Sequence, residues 1–246
     1  MLSKLVFTFK NNSNKLNYTI SSCMHGMIME AISSKDAEHL HNLSINPYSQ
    51  NIFFDKEYMY WTINGLNEYA YNNILMPLMN IDNFYIKNID ISLELVKKTI
   101  EIYDLDDLFM KSIQENHNRF VEIKFNTTTA FKSQGEYIFF PDFSLILKSI
   151  MTKHDSVSEY KIDGEEILEH FIENIEIRDY NLRTKRFKVN NIYIPGFIGC
   201  IKIYIKGPKQ LVSLFHYLVD FSEFSGIGIK SSLGMGSIKK ERRNNG

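Results

Sequence analysis

The chain has 246 residues, of which 44% are hydrophobic and 13% aromatic, which is typical of a globular protein with one large domain or two small ones. Two cysteines are too few for a disulfide framework, so we expect a protein of the reducing cytoplasm. The sequence contains no apolar run of 18 residues that would predict a membrane span, and its net charge of −1 does not by itself suggest nucleic acid.

The first half of the chain predicts the element order βαββαβ. Residues 2–10 alternate apolar and polar side chains, as a strand does, and they lack the apolar core of a signal peptide. A largely helical segment at 22–43 is followed by strands within 51–63, a helix at 66–79 and an extended segment at 82–95. This order is typical of a ferredoxin-like domain. The hydrophilic stretch 104–118 then predicts a domain boundary or a surface connection.

The second half repeats this scheme loosely. It predicts strands at 119–126 and 137–140, helices at 143–151 and 165–173, strands at 174–182 and 189–205, a helix at 208–224 and a final strand. We therefore predict an α+β fold of two tandem ferredoxin-like (βαββαβ, RRM-like) domains, residues 1–115 and 116–246, with a glycine-rich loop near the C-terminal end.

The glycine-rich segment follows the last predicted helix, for which Gly226 suits the C-terminal cap. Lys230 follows Ile229 rather than glycine, which excludes a P-loop, and the dinucleotide-binding fingerprint lacks its third glycine. A lysine and two hydroxyls on a bent backbone form a surface suited to phosphate or RNA backbone, the alternative being a flexible turn. The residues expected to bind RNA here are Gly226, Gly228, Lys230, Ser231, Ser232, Gly234 and Gly236.

The charges are distributed unevenly along the chain. Residues 1–177 carry 15 basic and 25 acidic side chains, whereas residues 178–246 carry 13 basic and 4 acidic ones. Such a split suggests a surface for a polyanion. We expect Arg183, Lys185, Arg186 and Lys188 to belong to it. The alternative is that these cations keep the edges of a β-hairpin soluble.

Two histidines, His39 and His41, lie near the end of the predicted helical segment. Such a pair can supply a proton acceptor and a proton donor near pH 7. RNA carries its own nucleophile, the 2′-hydroxyl, so acid–base groups suffice to cleave it and no metal is required. The residues alone leave two other interpretations open, polar side chains at a helix end and a His-x-His metal site.

The segment 221–238, FSEFSGIGIKSSLGMGSI, closely resembles the C-terminal glycine-rich signature of the CRISPR-associated endoribonucleases that cut precursor CRISPR RNA within its repeats. These enzymes belong to the repeat-associated mysterious protein (RAMP) superfamily. Phe197 to Cys200 resembles the family's penultimate strand, and Phe139 to Asp142 its mid-chain turn. Leu40-His41 resembles the end of the first helical region, where the family has its active-site histidine.

The resemblance implies His41 as the catalytic base or proton relay and His39 as its partner. Tyr48 would orient the phosphate or the RNA, as in a subtype of the family with two closely spaced histidines and a nearby tyrosine. Other members pair the histidine with a tyrosine and a lysine, but Met29 and Asn46 stand at those positions here.

The resemblance further implies cleavage of CRISPR repeat RNA to 2′,3′-cyclic phosphate and 5′-hydroxyl ends, with no metal and no cofactor. Other subunits of a CRISPR effector complex are further candidate partners, and the expected state is a monomer or a homodimer. The alternative function is a non-catalytic CRISPR RNA-binding subunit of an effector complex.

Overall fold

Alternating side chains build the first strand, as the sequence predicts. The computed structural model describes residues 1–12, 16, 18–162, 164–189 and 192–241. Strand β1 (Leu2–Lys10) buries Leu5, Phe7 and Phe9 completely on one face. Phe7 lies opposite Trp61 across the sheet, and the two rings stack with centroids 5.3 Å apart. This aromatic pair anchors the first core.

The remaining elements of the N-terminal half follow in chain order. They are α1 (Ser21–Ala31), α2 (Ser34–Asn42), β2 (Tyr48–Phe54), β3 (Tyr58–Gly65), α3 (Glu68–Ala70), a π-helical turn (Tyr71–Leu75), α4 (Met76–Met79), β4 (Phe84–Ile86), β5 (Ile91–Leu93) and β6 (Leu95–Tyr103). The antiparallel sheet has the strand order β2-β3-β1-β6, which is the ferredoxin-like order.

The C-terminal half builds a second sheet of the same order. Its elements are α5 (Leu105–Gln114), β7 (Phe120–Thr129), β8 (Phe131–Ser133), β9 (Glu136–Ile138), α6 (Phe143–Asp155), α7 (Glu165–Asn174), β10 (Ile175–Val189), β11 (Ile192–Ile205), α8 (Lys209–Ser225) and β12 (Ile238–Glu241). The order β10-β11-β7-β12 repeats that of the first sheet, with the small β8–β9 hairpin as an insertion. The predicted pair of ferredoxin-like domains is confirmed.

Two segments differ from the sequence prediction. Residues 82–95 were expected to supply the last strand of the first sheet, but β4 and β5 pair only with each other among the described strands, and β6 pairs with β1. The hydrophilic stretch 104–118, predicted to be a domain boundary or a surface connection, contains helix α5. Asp104 stabilises the start of this helix by accepting hydrogen bonds from the backbone N–H groups of Asp106 and Asp107.

The two halves are packed together. Leu2 and Leu66 of the N-terminal half belong to the apolar core of the second sheet. Helix α5 packs against α8, where the Ser112 hydroxyl donates to the Ser213 carbonyl. Helix α5 thus contacts the C-terminal half, whereas a boundary at residue 115 assigns it to the N-terminal domain, and the division at that residue stays a prediction. No helix within the described ranges is both long and apolar enough to cross a membrane.

Candidate active site

A groove of about 1000 Å³ lies between the two halves of the molecule. Its N-terminal wall comes from α1, α2 and the segment before β2, and its C-terminal wall from the β8–β9 hairpin and α6. Its cationic side chains are Lys132, Lys148, Lys153 and Lys230, and the lining contains no aspartate or glutamate among the residues that the structure describes. The groove therefore attracts anions.

The glycine-rich loop forms one side of this groove, and its glycines have backbone angles that other residues rarely adopt. Gly226, Gly228, Gly234 and Gly236 have φ values of 66°, 80°, 106° and 72°. There is also no room for a side chain, since a Cβ on Gly228 would lie 2.2 Å from the Ala130 carbonyl oxygen. The glycines thus permit the close packing of the loop.

The loop is bonded to both halves of the molecule. The Ser21 hydroxyl donates to the Leu233 carbonyl at 2.8 Å, and the Gln50 amide donates to the Ser232 carbonyl at 2.9 Å. From the other half, the Ser149 hydroxyl accepts a hydrogen bond from the Gly228 N–H at 2.8 Å. The loop therefore fixes the relative position of the two walls of the groove.

The structure separates the predicted RNA-binding residues of the loop into two groups. Four of them line the groove, Gly228, Lys230, Ser231 and Ser232. Lys230 is exposed at the tip, in the left-handed conformation at φ 55°. The other three glycines are buried and lie outside the groove lining. Their position indicates that they support the loop.

Replacing Gly228 by alanine is expected to destabilise the protein. The substitution strains a residue with positive φ and forces Cβ against a backbone carbonyl, at a cost of about 1–3 kcal/mol in the free energy of unfolding. Gly26→Ala is the matched control, because no atom lies within 4 Å of a Cβ there and the position is helical. The control should gain about 0.5–1 kcal/mol. Denaturant unfolding measures both, and equal changes would contradict the role assigned to Gly228.

A histidine and a tyrosine form a hydrogen-bonded pair in the groove. His25 Nδ1 lies 3.0 Å from the Tyr48 hydroxyl. Burial lowers the pKa of His25, and a backbone hydrogen bond with Ser232 partly offsets this effect, while the nearby Lys230 charge adds to it. Burial raises the pKa of Tyr48 above its ordinary value, so its hydroxyl stays protonated. At neutral pH the pair thus combines a neutral imidazole with a phenol.

The two histidines predicted from the sequence lie apart. Both belong to α2, and residues two positions apart on a helix point in nearly opposite directions. His41 is exposed and lines the groove. The His39 ring packs edge-on against the Tyr69 ring, with centroids 5.1 Å apart, and it does not belong to the groove lining. The structure therefore brings His41, Tyr48 and His25 together, and not His39.

A buried lysine is the second groove residue that sequence reasoning missed. Lys153 of α6 donates to the Ser225 and Gly226 carbonyls and to the Ser231 hydroxyl, at 3.3, 3.0 and 3.2 Å. Burial lowers its pKa to about 7. A signal was present, since Lys153 continues the apolar stripe of Ile146 and Ile150 at helical spacing. His25 had no comparable signal, because its partner is 23 residues away in the sequence.

The basic cluster on β10 forms a separate surface. Lys185, Arg186 and Lys188 line a small pocket of about 100 Å³ together with Gly234, and they do not line the groove. The Lys185 ammonium lies 4.6 Å from the centroid of the Tyr18 ring. Arg183 is exposed on the same strand and lines neither space. The predicted RNA-binding residues thus occupy two surfaces that meet at the glycine-rich loop.

Comparison with known proteins gives consistent results. The family model described as CRISPR-associated endoribonuclease Cas6 matches residues 123–238. A CRISPR-associated endoribonuclease Cas6 of Streptococcus thermophilus is 33% identical over 243 residues, covering 98% of this chain and 99% of the relative.

Solved structures show the same fold. A Cas6 product complex superposes with a TM-score of 0.80 at 17% identity, covering 98% of this chain and 99% of that one. A Cas6 of Thermus thermophilus has a TM-score of 0.73 at 19% identity, covering 98% of both chains. Because nearly the whole chain superposes, the likeness extends over both ferredoxin-like domains.

Proposed function

The chain belongs to the family of CRISPR-associated endoribonucleases called Cas6, which process CRISPR RNA, and on that premise we propose that it cleaves repeat RNA by metal-independent attack of a 2′-hydroxyl. The observation that carries the proposal is the groove, which places a histidine, a histidine–tyrosine pair and a lysine-bearing loop around one space. Acid–base groups beside an anion-binding surface are what this reaction needs.

The reaction balances without a cofactor. A base takes the proton of the 2′-hydroxyl, the oxygen attacks the adjacent phosphorus, and the bond from phosphorus to the 5′-oxygen of the next nucleotide breaks. An acid gives that leaving oxygen a proton. The products are a 2′,3′-cyclic phosphate and a 5′-hydroxyl, and the nucleophile is already positioned within the substrate.

The groove residues take the following roles in this proposal. His41 is the base or proton relay, because it is the exposed histidine of the groove. His25 replaces His39 as its partner, since His25 lies in the groove and its lowered pKa keeps it neutral. The Tyr48 hydroxyl orients His25. Lys230 and the amides of the loop stabilise charge on the phosphate.

Incubating the purified protein with the host's repeat RNA in EDTA tests the proposal. We expect cleavage at one position, with 5′-hydroxyl ends and 3′ ends that resist phosphatase until acid opens the cyclic phosphate. An inactive catalytic variant purified in parallel controls for contaminating ribonucleases. Products with free 3′-hydroxyl ends, or cleavage that stops in EDTA, would contradict the mechanism.

The proposal extends to the RNA-binding surface. Lys230 at the loop tip contacts RNA in the groove, and the exposed cations of β10 bind the strand where it passes the other side of the loop. The solved relatives support RNA as the ligand, since they include Cas6 structures described as product and substrate mimic complexes. Two cysteines are too few for a disulfide framework, which supports action in the reducing cytoplasm.

Removing Lys230 or Arg186 is expected to weaken RNA binding and reduce its salt dependence. Each phosphate contact contributes about −0.7 to the slope of log affinity against log salt concentration for single strands. Lys230→Ala and Arg186→Ala should each flatten the slope by about that amount, measured by fluorescence anisotropy at several salt concentrations. Lys56→Ala, in the exposed turn between β2 and β3, should leave the slope unchanged. Unchanged slopes for both test variants would show that RNA binds elsewhere.

The competing function is a subunit that binds CRISPR RNA without cutting it. The same groove and loop would serve that role, but it gives no reason for a neutral histidine hydrogen-bonded to a tyrosine beside the loop. Binding of repeat RNA with no cleavage under any of the conditions above would favour this function.

A further inference from the structure

Lys153 is a buried cation whose hydrogen-bond partners are uncharged. Its exposed fraction is 8%, and its ammonium donates to two carbonyl oxygens at the end of α8 and to the Ser231 hydroxyl. A buried charge is costly unless an opposite charge compensates it. The carbonyls lie at the C-terminal end of a helix and compensate only partly.

The contact between Lys153 and Ser231 determines where the serine hydroxyl points. An ammonium has only donors, so the Ser231 oxygen accepts that hydrogen bond and its own hydrogen must point elsewhere. Ser231 is half-buried and lines the groove. The hydroxyl is therefore a donor available to the groove, and the charge behind it strengthens its hydrogen bonds.

The position of Ser231 places this donor beside the candidate catalytic groups. Ser231 lies between Lys230, whose charge lowers the pKa of His25, and Ser232, whose backbone bonds to His25. A phosphate bound at the loop tip would accept from the Ser231 hydroxyl and supply the negative charge that Lys153 lacks. The glycine-rich loop, the buried Lys153 and the His25–Tyr48 pair thus line the same groove.

We propose that Lys153 is a positioning residue for RNA cleavage: its ammonium orients the Ser231 hydroxyl, which donates a hydrogen bond to a phosphate of the RNA in the groove. This inference rests on the proposed function and assigns a further residue to the same site. Lys153 does not touch the RNA itself, because its ammonium already donates to three oxygens of the protein.

The first test is a double-mutant cycle on the single-turnover cleavage rate. Lys153→Met, which keeps the length of the side chain, and Ser231→Ala should each lower the rate by about 10²-fold, the lower end of the range for loss of one donor to developing charge. The double variant should be no slower than the slower single variant, because both changes remove one interaction. Lys153→Arg should restore part of the rate. The control is Lys148→Met, which changes an exposed groove lysine on the same helix. Its effect on the cleavage rate should multiply with the effect of Ser231→Ala.

The second test is proton uptake on RNA binding, which a purely structural lysine would not show. Burial lowers the pKa of Lys153 to about 7, so at pH 8 the neutral amine is the main form in the free protein. A phosphate nearby favours the charged form and raises this pKa, so binding should be accompanied by proton uptake that forms the ammonium. Calorimetry in two buffers of different ionisation enthalpy, with an uncleavable RNA, measures the uptake.

Other groups around the groove also titrate, so variants are needed to assign the uptake. The charged and titratable groups lining the groove besides Lys153 are His25, His41, Tyr48, Lys132, Tyr137, Lys148 and Lys230. The uptake should be largely lost in Lys153→Met and retained in Lys148→Met. Circular dichroism and the melting temperature show whether each variant folds. If Lys153→Met does not fold, Ser231→Ala provides the test instead.

The results distinguish this inference from the proposed function. If the unaltered protein does not cleave repeat RNA, the proposed function fails, and proton uptake still tests the contact through binding alone. If the protein cleaves but Lys153→Met cuts at the parental rate, the inference fails by itself. The inference would also be overturned if the effects of Lys153→Met and Ser231→Ala on the cleavage rate multiplied. Equal proton uptake by Lys153→Met and the parent on binding RNA would overturn it as well.

Discussion

A repeat RNA with a single 2′-deoxy nucleotide immediately upstream of the cut is expected to bind normally and to remain uncut. The substitution removes the nucleophile and leaves every phosphate in place, so cleavage should be abolished while the affinity stays within about twofold. The cut is first mapped with unmodified RNA, and single-turnover cleavage of the two RNAs is then compared on gels. No other single change in protein or substrate should have so large an effect.

The position of the deoxy nucleotide supplies the control. A 2′-deoxy nucleotide one position downstream of the cut keeps the nucleophile, so this RNA should be cleaved at nearly the rate of unmodified RNA. Persistent cleavage of the upstream-modified RNA would mean that water or a protein side chain attacks the phosphorus, and the proposed role of the groove histidines would then be wrong.

His41→Ala is expected to lower the single-turnover rate by at least about 10²-fold, because a positioned acid–base group contributes about 10²–10⁴-fold. His25→Ala should also lower the rate, by removing the imidazole hydrogen-bonded to Tyr48. His39→Ala is the matched control on the same helix, and it should change the rate less than threefold because its ring packs on Tyr69 outside the groove. Each rate is measured with enzyme in excess.

RNA affinity separates loss of chemistry from loss of binding in these variants. All three histidine variants should bind repeat RNA within a few-fold of the parent, since the cations and the loop remain. If His39→Ala is as slow as His41→Ala, the partner role that the sequence predicts for His39 is right and His25 does not replace it. Parental rates in both His41→Ala and His25→Ala would place the active site elsewhere.

The fold could be predicted largely because its strands and helices repeat apolar residues at regular spacing. Leu5, Phe7 and Phe9 identify β1, and the apolar face of α8 identifies the last helix. The fourth strand was misplaced because β6 is a partly exposed edge strand with a weak pattern, whereas Ile89, Ile91 and Leu93 alternate regularly with polar residues. Helix α5 was missed because its polar face dominates the composition of that stretch.

The candidate site was harder to predict because spacing along the chain is not position in space. The prediction that His39 and His41 act together assumes a loop or a strand, where alternate residues share a face, but a helix turns them apart. His25 and Tyr48 come from different elements, and only tertiary packing joins them. The glycine-rich loop was easier to predict, since glycines so close together weaken a helix or a strand and favour a sharply bent backbone.

The bonds that hold the loop have a consequence for the order in which the molecule is made. The hydroxyl of Ser21 reaches the carbonyl of Leu233, a partner 212 positions further along the chain. Domains fold in order as they leave the ribosome, so the first sheet can form while the loop has not yet been synthesised. The groove is completed only after residue 233 has emerged. A nascent or truncated chain would thus carry His41 on a folded first sheet while lacking the loop that forms one side of the groove.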